Sequence, residues 1–160
     1  MIQRIQSVFL LLVIASLITF LFIPLWVKSD VQSGEAHEMH ALFYKGTTGE
    51  VVNPQLVYMP YMIVGILAVA AITIAIIQLF KFKDRVLQMK IGVLNSFFIV
   101  STLGSAGFFW YTLGRELLPQ QPISLGFGLV LPAFAMIFNR IALRFIKKDE
   151  DLVRSVDRIR

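Results

Sequence analysis

Four long apolar runs dominate this sequence, and each is long enough to cross a lipid bilayer as a helix. They cover residues 5–27, 59–80, 91–113 and 122–145, and a spanning α-helix needs about 20 such residues to match the hydrocarbon thickness. With 57% hydrophobic and 16% charged residues, the chain is too poor in charge for a soluble globule. The expected fold class is an all-α membrane protein: one four-helix transmembrane domain over 1–160, with an outer loop over 28–58 and a tail over 146–160.

The first run invites comparison with a cleaved signal peptide, because Arg4 precedes it. A signal core is about 7 to 15 residues long and ends in small residues. This run continues to Trp26 and meets Lys28, Ser29 and Asp30, so it reads as a retained anchor. The sequence has no cysteine, which excludes a disulfide framework, a thiolate metal site and thiol-quinone redox chemistry.

Orientation follows from the segments between runs, since cytoplasmic loops carry the excess of Lys and Arg. Of 15 such residues, one alternating set holds Arg4, Lys81, Lys83, Arg85, Lys90, Arg140, Arg144, Lys147, Lys148, Arg154, Arg158 and Arg160. The other holds Lys28, Lys45 and Arg115. Both termini are therefore expected in the cytoplasm. Trp26, Tyr58, Tyr61, Trp110 and Tyr111 all fall at the opposite boundary, where amphipathic rings favour the water-lipid interface.

The outer loop contains a β-branched and aromatic pattern over 41–45, a glycine turn over 46–49 and Glu50, Val51 and Val52. This pattern predicts a small hairpin, which alone would be marginal and should rest on the helix ends. Pro122 suits the first turn of the fourth helix, and Pro132, placed mid-run, predicts a kink. In the tail, Asp149 and Glu150 precede Arg154 and Arg158, while Leu152 and Val156 recur at helical spacing. A short amphipathic helix at the inner surface or on a protein is expected there.

No ionisable residue occupies the middle of a run. A charge at mid-bilayer costs about 2.5 to 3.5 kcal/mol on insertion scales and persists mainly where function requires it. A proton relay, an ion-coupled carrier site, an intramembrane protease and helix-held haem thus lack their residues. No catalytic residue, cofactor or nucleic-acid partner is expected. His37 and His40 flank Glu38 in the outer loop; their spacing is not that of a zinc-binding helix, so they read as a solvated acidic loop with weak metal-binding potential.

Gly92, Ser96, Gly104 and Gly107 on the third run allow close helix approach, either within the bundle or against another protein. Asn95 and Asn139 are expected to hydrogen-bond between helices. Anionic lipid is expected along the basic edge.

The opening Met1-Ile-Gln-Arg-Ile-Gln6, the run Gln88-Met-Lys-Ile-Gly-Val-Leu-Asn95 and the ending from Ile146 through Lys147-Lys-Asp-Glu-Asp-Leu-Val-Arg-Ser-Val-Asp-Arg resemble the family called domain of unknown function 4293. The resemblance covers essentially the whole chain. It implies four spans in a bacterial inner membrane, mainly in Bacteroidota, and brings no catalytic residue.

The functional expectation is a non-enzymatic accessory or scaffold subunit that meets membrane or cytoplasmic partners through its tail. Two alternatives stay open: a transport or sensing protein holding an apolar or lipidic ligand near Pro132, Asn95 and Asn139, and metal binding at His37 and His40.

Overall fold

The computed structural model describes residues 2–30, 35–47, 55–82, 84–116 and 124–157. Four helices are long and apolar enough to cross a membrane, which is the build of a multi-pass membrane protein. They are α1 (Ile2–Phe22), α2 (Met62–Phe80), α3 (Arg85–Glu116) and α4 (Leu131–Asp157), the last entered through a 3-10 turn at Phe127–Val130. Helix α1 packs on α2 and α4, and α3 closes the ring between them.

The inward faces alternate steps of three and four residues. Leu10, Val13, Leu17 and Phe20 line α1; Val64, Ala68, Ala71 and Ala75 line α2; Ile99, Thr102 and Ala106 line α3; Ala135, Asn139, Ala142 and Ile146 line α4. This 3.5-residue spacing is that of a coiled-coil seam, and the alanines of α2 let its backbone come close to its neighbours. Outward hydroxyls close on their own helix: Ser16, Thr19, Thr73 and Ser101 each donate to the carbonyl four residues earlier, at 2.6 to 2.9 Å. Such back-bonding removes an unpaired donor from an apolar surface.

A five-stranded antiparallel sheet covers one end of the ring. Its strands are β1 (Trp26–Asp30), β2 (Glu35–Met39), β3 (Tyr44–Thr47), β4 (Gln55–Val57) and β5 (Ser124–Leu125), in the order β4-β3-β2-β1-β5. Strands β3 and β4 are antiparallel partners, with Tyr44 opposite Val57, so a hairpin stands in this loop, but not at the expected residues: 41–43 are the connection from β2, and Gly46 and Thr47, expected in the turn, belong to β3. Residues 50–52, expected as its return arm, lie outside the described residues. The sheet is larger than a hairpin because both chain ends flanking the loop join it, and because β5 arrives from the connection between α3 and α4.

The underside of the sheet buries Trp26 and Met39 in one core with Phe20, Leu25, Val64, Ala68 and Ala106. Gly65 permits this contact, since a Cβ there would strike the Leu42 side chain and come within 2.9 Å of the Ala41 carbonyl oxygen.

Several expectations are corrected. Helix α1 ends at Phe22, two residues before Pro24, so Trp26 and Val27 belong to a strand and not to the span. Trp26 is 0% exposed and cannot be an interfacial anchor, whereas Tyr58 and Tyr111 are exposed as expected. Pro132 is the second residue of α4, where its missing N–H breaks no helical bond, and introduces no mid-helix kink. Pro122 lies outside the described residues, but it does not open the fourth helix, because Ser124–Leu125 is strand β5 and α4 begins at Leu131. The tail is not a separate helix: α4 continues unbroken from Leu131 to Asp157.

Candidate functional site

At the end of the ring opposite the sheet, the inward seams turn polar. Gln6, Gln78, Gln88, Asn95 and Asn139, drawn from all four helices, are at most 1% exposed. Gln78 sits at the end of α2 and Gln88 in the first turn of α3, beyond a connection held by Asp84. The Asp84 carboxylate accepts from the Leu87 amide at 3.0 Å, a helix N-cap that satisfies one orphan donor.

Two amide contacts cross between helices. The Gln88 Nε2 donates to the Gln78 carbonyl oxygen at 3.1 Å. The Asn139 Nδ2 donates to both the Gly92 carbonyl oxygen and the Ser96 Oγ, each at 2.9 Å. Gly92 is seated tightly: a Cβ there would lie 2.5 Å from both Gln78 Nε2 and Leu143 Cδ2. Asn95, Ser96, Gly92 and Asn139 thus belong to one inter-helix junction or border it. Gly104 and Gly107 do not, because a Cβ on either would meet nothing within 4 Å. Pro132 lies two turns away from Asn139 toward the sheet, at the start of α4.

Many of these amide atoms have no partner among the described residues: both of Gln6, both of Gln78, both of Asn95, Oε1 of Gln88 and Oδ1 of Asn139. Each unsatisfied buried group costs roughly 1 to 3 kcal/mol. A layer carrying so many is chemically fit to take water or a hydrogen-bonding guest, and unfit for an apolar one.

Beneath the sheet lies a second polar group. Lys28 is opposite His37 in the β1-β2 register, and His37 Nδ1 shares a hydrogen bond of 2.6 Å with the Tyr44 hydroxyl on β3. The two rings stack at 12°. Burial lowers the His37 pKa, opposed by Glu35 and assisted by Lys28. Burial also lowers that of Lys28, which is 2% exposed. Tyr44 is pushed up to about 12 by burial, Tyr61 and Glu35. His40 instead stacks on Phe43 at 4.6 Å and lies 3.7 Å from Glu38. The two histidines serve different partners, and among the described residues no three metal-ligating side chains gather.

The arm of α4 leaves the ring after Ile146, its last buried core residue. Asp149 pairs with Arg85 of α3 at 3.0 Å, and Glu150 with Arg154 at 2.9 Å. Leu152 and Val153 are 48% and 41% exposed. The backbone at Val156 is helical, and Arg158 lies outside the described residues.

The family model described as domain of unknown function (DUF4293) matches residues 2–159. The chain belongs to this family. No curated protein matches the DUF4293 chain.

Sequence reasoning missed Gln6, Gln78 and Gln88, whose places near the run ends look like ordinary interface positions. Their common signal is seam spacing, with Gln88, Gly92, Asn95 and Ile99 separated by steps of four, three and four. The pairing of His37 with Tyr44 has no such signal, because it depends on strand register.

Proposed function

We propose that this chain is a non-enzymatic accessory or scaffold subunit of a larger assembly in the bacterial inner membrane, with its basic end and both termini in the cytoplasm. The unbroken α4 arm carries this reading. From Ile146 to Asp157 it extends about 16 Å at 1.5 Å per residue. The Arg85–Asp149 pair braces its root, and Leu152 and Val153 are left on its surface. A rigid helix bearing exposed apolar residues among charges suits a helix-in-groove contact, in which a partner receives the apolar side chains. The charge asymmetry of the loops supports the orientation.

The test is gentle extraction from the native membrane followed by identification of co-purifying proteins. Leu152→Glu with Val153→Glu is expected to release the partner while leaving insertion unchanged, as is deletion of 149–160. Undiminished co-purification from both variants would remove the reading.

The buried amides favour a second reading, a transport or sensing protein whose bundle receives a small uncharged guest. Their unpartnered atoms call for a ligand offering both donors and acceptors, in place of the apolar ligand first expected. Specific binding of such a compound, lost on Asn95→Leu without loss of fold, would establish it.

A further inference from the structure

The outward flank of α4 beside the amide layer carries a groove of about 480 Å³ lined, among the described residues, by Arg140, Leu143, Arg144 and Lys147. These occupy one helix face, at steps of three, one and three residues. Leu143 forms the inner wall: its Cδ2 and the Gln78 Nε2 both crowd the seat of Gly92, which places Leu143 at the level of Gln78 on α2.

That level fixes the depth of the arginines. Helix α2 ends at Phe80, two residues beyond Gln78, while Arg140 is three residues further toward the sheet than Leu143. At 1.5 Å per residue, the Arg140 backbone lies about 7 Å inside the end of α2. The Arg140 charge therefore rises from the apolar part of the bundle and must reach the interface along the groove, while Arg144, one residue beyond Leu143, stands close to the level of the α2 end.

Cations so placed favour a counter-charge. Asp149 is engaged by Arg85 and Glu150 by Arg154, and among the described residues no carboxylate forms an ion pair with Arg140, Arg144 or Lys147. The groove faces the surroundings of the bundle, and its wall combines two guanidinium groups with one leucine. Guanidinium groups pair with phosphate oxygens in a bidentate manner, and the leucine suits a glycerol or acyl segment. The volume falls within the range of small-molecule sites.

We propose that this groove is a binding site for the phosphate headgroup of an anionic phospholipid. The lipid enters from the bilayer, places its phosphodiester between Arg140 and Arg144, and leaves its acyl chains along the helix surface. Lys147 adds the outermost positive charge. Lys148, the next residue in the chain, does not line the groove and serves as the control for diffuse attraction to a negative surface.

The experiment places the full chain in nanodiscs of phosphatidylcholine containing a minority of phosphatidylglycerol, then measures which lipid stays bound after transfer to detergent, by native mass spectrometry. The wild-type chain is expected to retain phosphatidylglycerol selectively. Arg140→Gln with Arg144→Gln and Lys147→Gln should lose that selectivity, by about fivefold for each charge removed, and Lys148→Gln should keep it. Should the triple variant not fold, Arg144→Gln alone is expected to show about a fivefold loss. Retention unchanged by these substitutions overturns the proposal, as does an equal loss in Lys148→Gln. Complete displacement of the lipid by inorganic phosphate also overturns it, by assigning the groove to a soluble anion.

Discussion

Asn139 fastens α4 to α3 through a backbone atom: its side-chain nitrogen donates to the Gly92 carbonyl oxygen at 2.9 Å, across 47 residues of sequence. The carbonyl is reachable because residue 92 has no side chain, and the Leu143 and Gln78 side chains fill the space above it.

Gly92→Ala is therefore expected to destabilise the bundle by about 1 to 3 kcal/mol, the usual penalty for overpacking. Thermal unfolding in detergent measures it. Gly104→Ala, where a Cβ meets nothing within 4 Å, should leave stability unchanged. Equal loss in both would mean that the Gly92 seat is not tight.

Among the asparagines the partnered one should matter more. Asn139→Leu removes contacts to Gly92 and Ser96 and should lower stability by about 0.6 to 1.7 kcal/mol, the range measured for hydrogen bonds between membrane helices. Asn95→Leu removes a side chain whose two polar atoms have no partner among the described residues, and its effect should be neutral or stabilising. The reverse order would show that Asn95 is the better satisfied residue.

The brace between Arg85 and Asp149 is partly exposed, at 26% and 17% for the two side chains. A double-mutant cycle with Arg85→Gln and Asp149→Asn should return a coupling of about 0.5 to 1 kcal/mol that shrinks as salt is added. The coupling is read from protease cleavage within the arm.

These contacts were only partly legible in advance. The four crossings are written plainly because hydrocarbon demands about 20 apolar residues for each. The inward faces are not, since the lipid-facing side chains, such as Val93, Phe97 and Val100, are as apolar as Ile99 on the seam. Composition also says little about where an apolar helix stops. Trp26 and Val27 extend the first run without a change of character, and Pro24 is the overlooked signal. The charges of the tail suggest a break from α4, yet no glycine or proline interrupts 133–157. In sequence the sheet looks like a hairpin alone, because β5 contributes only two residues from a distant connection.

Titration beneath the sheet gives opposite slopes at the two ends of the pH scale. His37 has a folded pKa below its ordinary 6.5, so the unfolded chain binds its proton more readily. Its contribution to stability is present above pH 6.5 and declines as pH falls toward the depressed folded value. Tyr44 is shifted from 10.0 to about 12, so its contribution is complete below pH 10 and declines as pH rises toward 12. Unfolding midpoints followed across both windows, with His37→Gln flattening the acid limb and Tyr44→Phe the alkaline one, check both signs.

The strands that cap the bundle receive the chain directly from α1, deliver it to α2 shortly after β4, and take in the connection between α3 and α4 as β5. A hydrogen-bonded plate of this kind laces the far tips of the ring together, so the helices cannot splay there without unzipping it. Among the described residues the opposite tips have no such plate, and what joins them is local: the short turn between α2 and α3, the Asn139–Gly92 contact and the Arg85–Asp149 pair.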